Sequence, residues 1–255
     1  SLASAEQFKK VGDIIRADKS RRYVVPSAPG KRSSSDTKVT DMLYSCYNLA
    51  IREKKFTSLL DEIHARYNEI IDGLNLELSL DHEFDMIREN FGKKIGRDYA
   101  ASRGEYLNGI IMANYLGFCF IDAAEVIRFH EDGSLDDEKT NELLSLRLEG
   151  EEFAVIPGFY GAKEDGTIVT GKTSSLLGAS AAVLLNAIKV LGEIPHDTHL
   201  IAPSAIEPIQ TLKTTYLGSK NPLLHTDEVL IALSMSAATD PVAKKALGQL
   251  PKLQG

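Results

Sequence analysis

Cysteine is scarce in this 255-residue chain, with only Cys46 and Cys119 present. Each lies inside an apolar pattern, and two isolated thiols exclude a disulfide framework and fit a reducing, cytoplasmic setting. No apolar run approaches the ~20 residues of a membrane-spanning helix. The opening SLASAEQFKK lacks the basic-then-apolar order of a secretory leader. Positive charge is also in deficit: 29 Lys and Arg against 36 Asp and Glu leave a net charge of −7. Broad binding to nucleic acid or to an anionic membrane requires a basic field, so neither is expected. Internal repeats and low-complexity tracts are missing, and beyond Tyr160 the aromatic residues dwindle to Tyr216. What is present is ordinary globular material, 43% hydrophobic and 25% charged, enough for one large domain or two small ones.

Periodicity divides the chain into helices and short apolar runs. Ser4 and Gln7 have the spacing of a capping box, followed by Ala5, Phe8, Val11 and Ile15 on one face. Tyr23–Val25 reads as a buried strand and SAPGKRSSSD as a loop. Further helices are predicted from Val39, over Phe56–Ile70, around Phe84–Phe91 and over Arg103–Leu116. Phe118–Ile121, Glu125–Phe129 and Phe153–Ile156 read as strands, with a helix over Asp136–Leu148. Helices alternating with β-branched runs indicate an α/β fold with a mainly parallel sheet. Past Thr170 the pattern becomes helix-rich: Ser175–Leu191, Ser204–Leu217 and Val229–Ala238, with a strand at Thr198–Ile201.

Three stretches carry chemistry. Ser27-Ala28-Pro29-Gly30-Lys31 follows a strand, and glycine-rich turns in that position can aim backbone N–H groups at phosphate. Its plain alternative is a solvated Pro-Gly turn. Ser102-Arg103-Gly104-Glu105 offers a carboxylate that can pair with an ammonium and an arginine that can orient carboxylates; equally, it fits a charged first helical turn. Thr40 reads either as a ligand hydroxyl or as a cap on helix donors. Pro157–Ala162, PGFYGA, reads as a glycine-rich loop leaving a strand. Two weaker patterns lie beyond. Gly166–Thr173 satisfies G-x-x-x-x-G-K-T, but Ile168 and Val169 fall where a phosphate loop should have no strand. His196 and His199 flank a loop-to-strand transition that would separate them, which argues against a shared metal.

In their order and separation, SAPGK, SRGE and PGFYGA resemble aspartokinase, of the amino-acid kinase family, over residues 1–170. The resemblance implies a three-layer α/β domain with a mainly parallel sheet, here incomplete, that phosphorylates the β-carboxylate of L-aspartate with ATP and Mg2+ in amino-acid biosynthesis. It implies that Glu105 takes the substrate ammonium and Thr40 reaches the substrate, with Ser102 and Arg103 shaping the same loop. Ser27, Gly30 and Lys31 would lie beside the nucleotide phosphates. Two family loops are missing: the opening Lys-Phe-Gly-Gly-Ser-Ser loop survives only as its last serine. Gly171–Ser175 stands where a Gly-Arg-Gly-Gly-Ser-Asp loop is expected. Residues 169–255, including HLIAPSAIEPIQTLK and HTDEVLIALSMSAATDP, resemble an uncharacterised bacterial family and form the helix-rich α/β remainder from residue 171. The chain thus reads as a chimera of two families. Three functions are expected to compete: a kinase, an inactive scaffold or assembly module that self-associates through exposed apolar surface, and a small-ligand site in residues 171–255.

Overall fold

The computed structural model describes residues 2–131, 133, 135–170, 179–195, 198–219 and 222–253. The chain divides into two compact units, Ser1–Gly171 and Lys172–Gly255.

The first unit begins with helices. α1 (Ala5–Arg16) starts at the reciprocal cap legible in the sequence: Ser4 accepts from the Gln7 N–H, and the Gln7 side chain accepts from the Ala3 N–H. α2 (Val39–Ile51), α3 (Thr57–Gly73) and α4 (Asp81–Gly92) bury residues at helical spacing. Val39, Leu43 and Cys46 from α2 join Leu60, Ile63 and Tyr67 from α3 and Phe84, Ile87 and Phe91 from α4. Full burial of each large side chain contributes about 1.5–3 kcal/mol. The cluster closes on α5 (Arg97–Leu116), whose Leu107, Ile111 and Met112 have no exposed surface.

The sheet is small and parallel. β1 (Tyr23–Val24), β2 (Cys119–Phe120) and β3 (Ala154–Val155) lie in the order β1-β3-β2, so the last strand in sequence is the central one. Ala154 is in register with both Tyr23 and Cys119. β4 (Tyr160–Ala162) and β5 (Ile168–Thr170) form an antiparallel hairpin turned by Gly166, whose φ of +82° suits glycine. The mixed α/β architecture with a parallel sheet agrees with the fold class read from the sequence.

One local expectation fails. Glu125–Phe129 is no strand: α6 (Ala123–Val126) occupies its start, nucleated by Asp122, whose carboxylate accepts from the Ala124 N–H at 2.9 Å. Among the described residues, isolated bridges from Arg128 to Ala162 and from Phe129 to Leu135 are what remains of the expected pairing. α7 (Asp137–Arg147) follows, capped by Asp136.

The described part of the second unit is helical: α8 (Ala179–Leu191), α9 (Pro203–Thr211), α10 (Thr226–Ala237) and α11 (Pro241–Leu247). Ile188, Val229, Leu233 and Ala243 form its centre. Thr198–Ile201 forms no strand; it is a connection whose Leu200 and Ile201 are buried. The Lys213 ammonium, 8% exposed, donates to Glu228 and to the Leu223 carbonyl, both at 2.7 Å, tying the end of the α9 segment to α10.

Candidate functional site

Small residues let α5 approach two loops closely. A Cβ on Gly104 would lie 2.8 Å from the Ala28 Cβ, and one on Gly109 would lie 2.7 Å from the Pro157 Cγ. Neither contact is open to a side chain without displacement. Asn108 donates to the Ser27 carbonyl at 2.6 Å, and Tyr67 donates to the Gly104 carbonyl at 2.8 Å. The Arg103 guanidinium sits 5.4 Å from the Tyr160 ring centroid. SAPGK, SRGE and PGFYGA, scattered over 136 residues, therefore meet on one helix.

Glu105 is the ninth residue of α5, because the helix starts at Arg97 behind Gly96. The first-turn explanation for its charge is thereby lost. It is 8% exposed, and its Oε2 is buried with no hydrogen-bond partner among the described residues. Burial pushes its pKa up to about 7, while the Ala28 and Glu105 N–H groups and the Arg103 charge pull the other way. A carboxyl group so placed has one oxygen ready for a cationic partner.

Thr40 stands at the second position of α2 and is half-buried; its Oγ1 lies 3.7 Å from the Cβ position of Gly104. No side-chain cap is made at this helix start, so the capping explanation of Thr40 is not realised. Ser27 and Lys31 are exposed on the loop before α2, and Gly30 is half-buried between them. Ser102 donates to the Tyr99 carbonyl at 2.8 Å and accepts from Arg103 Nε and Nη2 at 3.1 and 2.9 Å.

Arg66 is the residue that sequence reading missed. It is 3% exposed on α3, donates to the Thr37 carbonyl at 2.7 Å and to the Gly30 carbonyl, and pairs with Asp36 at 3.0 Å. It thus holds both ends of the Gly30–Thr37 segment in front of Thr40. The available signal was its position three residues from Ile63 and four from Ile70, a charge on an apolar stripe. Arg32 pairs with Asp36 at 3.1 Å and Glu69 at 3.0 Å on the open side.

The weaker patterns lie only partly within the described residues. Ile168–Thr170 of the G-x-x-x-x-G-K-T match is strand β5, with the Thr170 N–H donating to Asp98 at 3.1 Å. Residues 171–173 and 196–197 lie outside the described residues. Among the described residues no three His, Cys, Asp or Glu side chains cluster as a metal site, and no helix is long and apolar enough to cross a membrane.

Known proteins divide in their similarity to this chain. Residues 162–255 match the family model described as "Domain of unknown function DUF1846, C-terminal". A UPF0371 protein of Corynebacterium diphtheriae is 60% identical over 105 residues, 41% of this chain and 21% of that protein. One from Corynebacterium aurimucosum is 66% identical over 91 residues, 36% of this chain and 18% of that protein. The chain thus spans about a fifth of the curated relatives it matches. Among solved structures, the aspartate kinase of Clostridium acetobutylicum is 42% identical with a TM-score of 0.67, covering 72% of this chain and 42% of that one. Escherichia coli aspartokinase III in complex with lysine and aspartate, 19% identical, has a TM-score of 0.59 over 92% of this chain and 58% of that one, a likeness of fold alone. Two likenesses meet in one chain.

Proposed function

We propose that the first unit is the amino-acid-binding part of an aspartate-kinase-type catalytic domain, acting on L-aspartate with ATP. Glu105 carries this reading: a buried carboxyl whose Oε2 has no partner among the described residues, held where α5, the Ala28 loop and Thr40 meet. The substrate ammonium would pair with Oε2, and the Thr40 hydroxyl, free of capping, would donate to the same molecule. Ser102 and Arg103 shape the wall behind Glu105. The 42% identity to the Clostridium aspartate kinase and the aspartate and ADP present in a structure of Escherichia coli aspartokinase III support the choice of substrates.

The β-carboxylate of the substrate is itself the nucleophile, so the chain has to position and stabilise charge rather than supply an attacking group. The exposed Lys31 ammonium and the Gly30 and Ser27 backbone form the phosphate side. Mg2+ would arrive on the phosphate oxygens of ATP and neutralise the charge that develops during transfer. Arg66 keeps the phosphate-side loop and the aspartate-side threonine in fixed relation.

The deciding experiment is Mg2+-dependent ADP formation with and without L-aspartate, with Glu105→Gln as control. Aspartate-stimulated turnover abolished in the control supports a kinase. A folded chain with no stimulation refutes phosphoryl transfer. The change of likeness at residues 162–171 favours a second reading, a chimera that keeps the amino-acid site without turnover. L-Aspartate binding without ADP formation would select it.

A further inference from the structure

The Arg103 guanidinium is 6% exposed and surrounded by rings: Tyr106, Tyr99 and Tyr160 lie with centroids 4.3, 4.6 and 5.4 Å from its central carbon. The rings face the cation but accept little hydrogen bonding. One edge of the fork, Nε with Nη2, is taken by the Ser102 hydroxyl. The other edge, Nη1 with the second Nη2 proton, meets no carboxylate or carbonyl among the described residues. A buried arginine ordinarily has its planar donors matched by oxygen acceptors.

That arginine lines a cavity of 280 Å³ between α4 and α5, walled also by His82, Glu83, Asn90, Tyr99 and Tyr106. Two further donors belong to it. The Tyr99 hydroxyl accepts from Asn90 at 2.7 Å, which leaves its own proton without an acceptor among the described residues. The Tyr106 hydroxyl makes no hydrogen bond among them. Burial raises the Tyr106 pKa, so it stays a donor at neutral pH. Three carboxyl groups stand near, and Glu105, which feels the Arg103 charge, is kept largely protonated below about pH 7 by its burial. Asp122 is engaged by the Tyr160 hydroxyl at 2.7 Å and by the Ala124 N–H. Glu83 lies on the α4 wall, half-buried, and favours a ligand small enough to leave it solvated.

We propose that this cavity binds a small carboxylate, its two oxygens taken end-on by the open fork of Arg103 and flanked by the hydroxyls of Tyr106 and Tyr99. The planar, parallel pair of N–H donors matches a carboxylate bidentately, and the stacked rings fix the plane of the fork before the ligand arrives. The site needs no nucleotide, and it shares Arg103 with the wall behind Glu105.

Succinate is the probe, because it has carboxylates but no ammonium to pair with Glu105. Calorimetric titration of the whole chain at pH 7 should show saturable one-to-one binding. Arg103→Lys, which keeps the charge and loses the fork, should weaken it at least tenfold, and Tyr106→Phe severalfold. Should Arg103→Lys fail to fold, 13C-labelled tyrosine in the unaltered chain gives the second readout: the Tyr99 and Tyr106 ring signals should shift on titration. Absence of saturable binding, undiminished affinity in a folded Arg103→Lys chain, ring signals that stay put, or tighter binding of inorganic phosphate than of succinate would each overturn the proposal.

Discussion

Replacing Glu105 with glutamine keeps the shape of the side chain and deletes its ionisation. In the native chain burial raises the pKa from 4.5 to about 7, so the folded state holds the proton more tightly than the unfolded state. Below pH 4.5 both states are neutral there and the group contributes nothing. As pH rises from 4.5 towards 7 the unfolded chain ionises first, and stability falls; above about 7 the full cost of burying the charge is felt. A displacement of that size corresponds to about 3 kcal/mol by pH 8. Urea denaturation followed at the first unit's tyrosines should show this decline between pH 5 and 8 in the native sequence and lose it in Glu105→Gln. Ligand binding supplies the complementary measurement. With a pKa of about 7, about nine in ten sites are protonated at pH 6 and about one in ten at pH 8. Pairing with the L-aspartate ammonium requires the carboxylate, so binding should release about 0.9 proton at pH 6 and about 0.1 at pH 8. Calorimetry in buffers of different ionisation heat reads that number. A native pH–stability profile parallel to that of Glu105→Gln would refute the raised pKa, and proton release independent of pH would refute the ammonium contact.

Gly104→Ala should destabilise by about 1–3 kcal/mol and weaken L-aspartate binding more than Gly92→Ala, which meets nothing within 4 Å; denaturation and calorimetry on the two variants test it. Arg66→Met should cost about 2–4 kcal/mol in urea denaturation, since it removes the donor to the Gly30 and Thr37 carbonyls and breaks a buried pair with Asp36. Burial pushes the Cys46 thiol up to about 12, so at pH 8 it should resist a thiol reagent until the chain unfolds, with the half-buried Cys119 reacting first; peptide mapping after timed labelling distinguishes them.

Helices were legible where one face repeats its apolar residues and a cap announces the start, as at Ser4 and Gln7. Where sequence reading failed, a distant partner decided the conformation. The Val126–Phe129 stretch has β-like composition, yet Asp122 both caps α6 and accepts from Tyr160, 38 residues away, which holds the segment against β4. α11 was hidden because Asp240-Pro241 marks the end of one helix as readily as the beginning of another; here Asp240 caps and Pro241 opens. α5 begins six residues before the predicted Arg103, a difference that arises because Arg97–Ser102 carries little apolar periodicity. That displacement hid how deep in the helix Glu105 lies. The site motifs themselves were visible, but their convergence depends on Gly104 and Gly109, whose missing side chains signal close approach only when the opposing atoms are known.

The strand order has a consequence for synthesis. Because β3 lies between β1 and β2, neither outer strand has a neighbour in the sheet until residues 154–155 have left the ribosome. Up to that point the nascent chain can gather helices α1 to α5 by shorter-range contacts, but the parallel pairings span 131 and 35 residues and await the centre strand. The loop carrying Ser27 is therefore anchored at its strand end only late, and the pocket around Glu105 takes shape after most of its residues have already been made. Slowing translation after residue 155 should allow this step to finish before the second unit emerges.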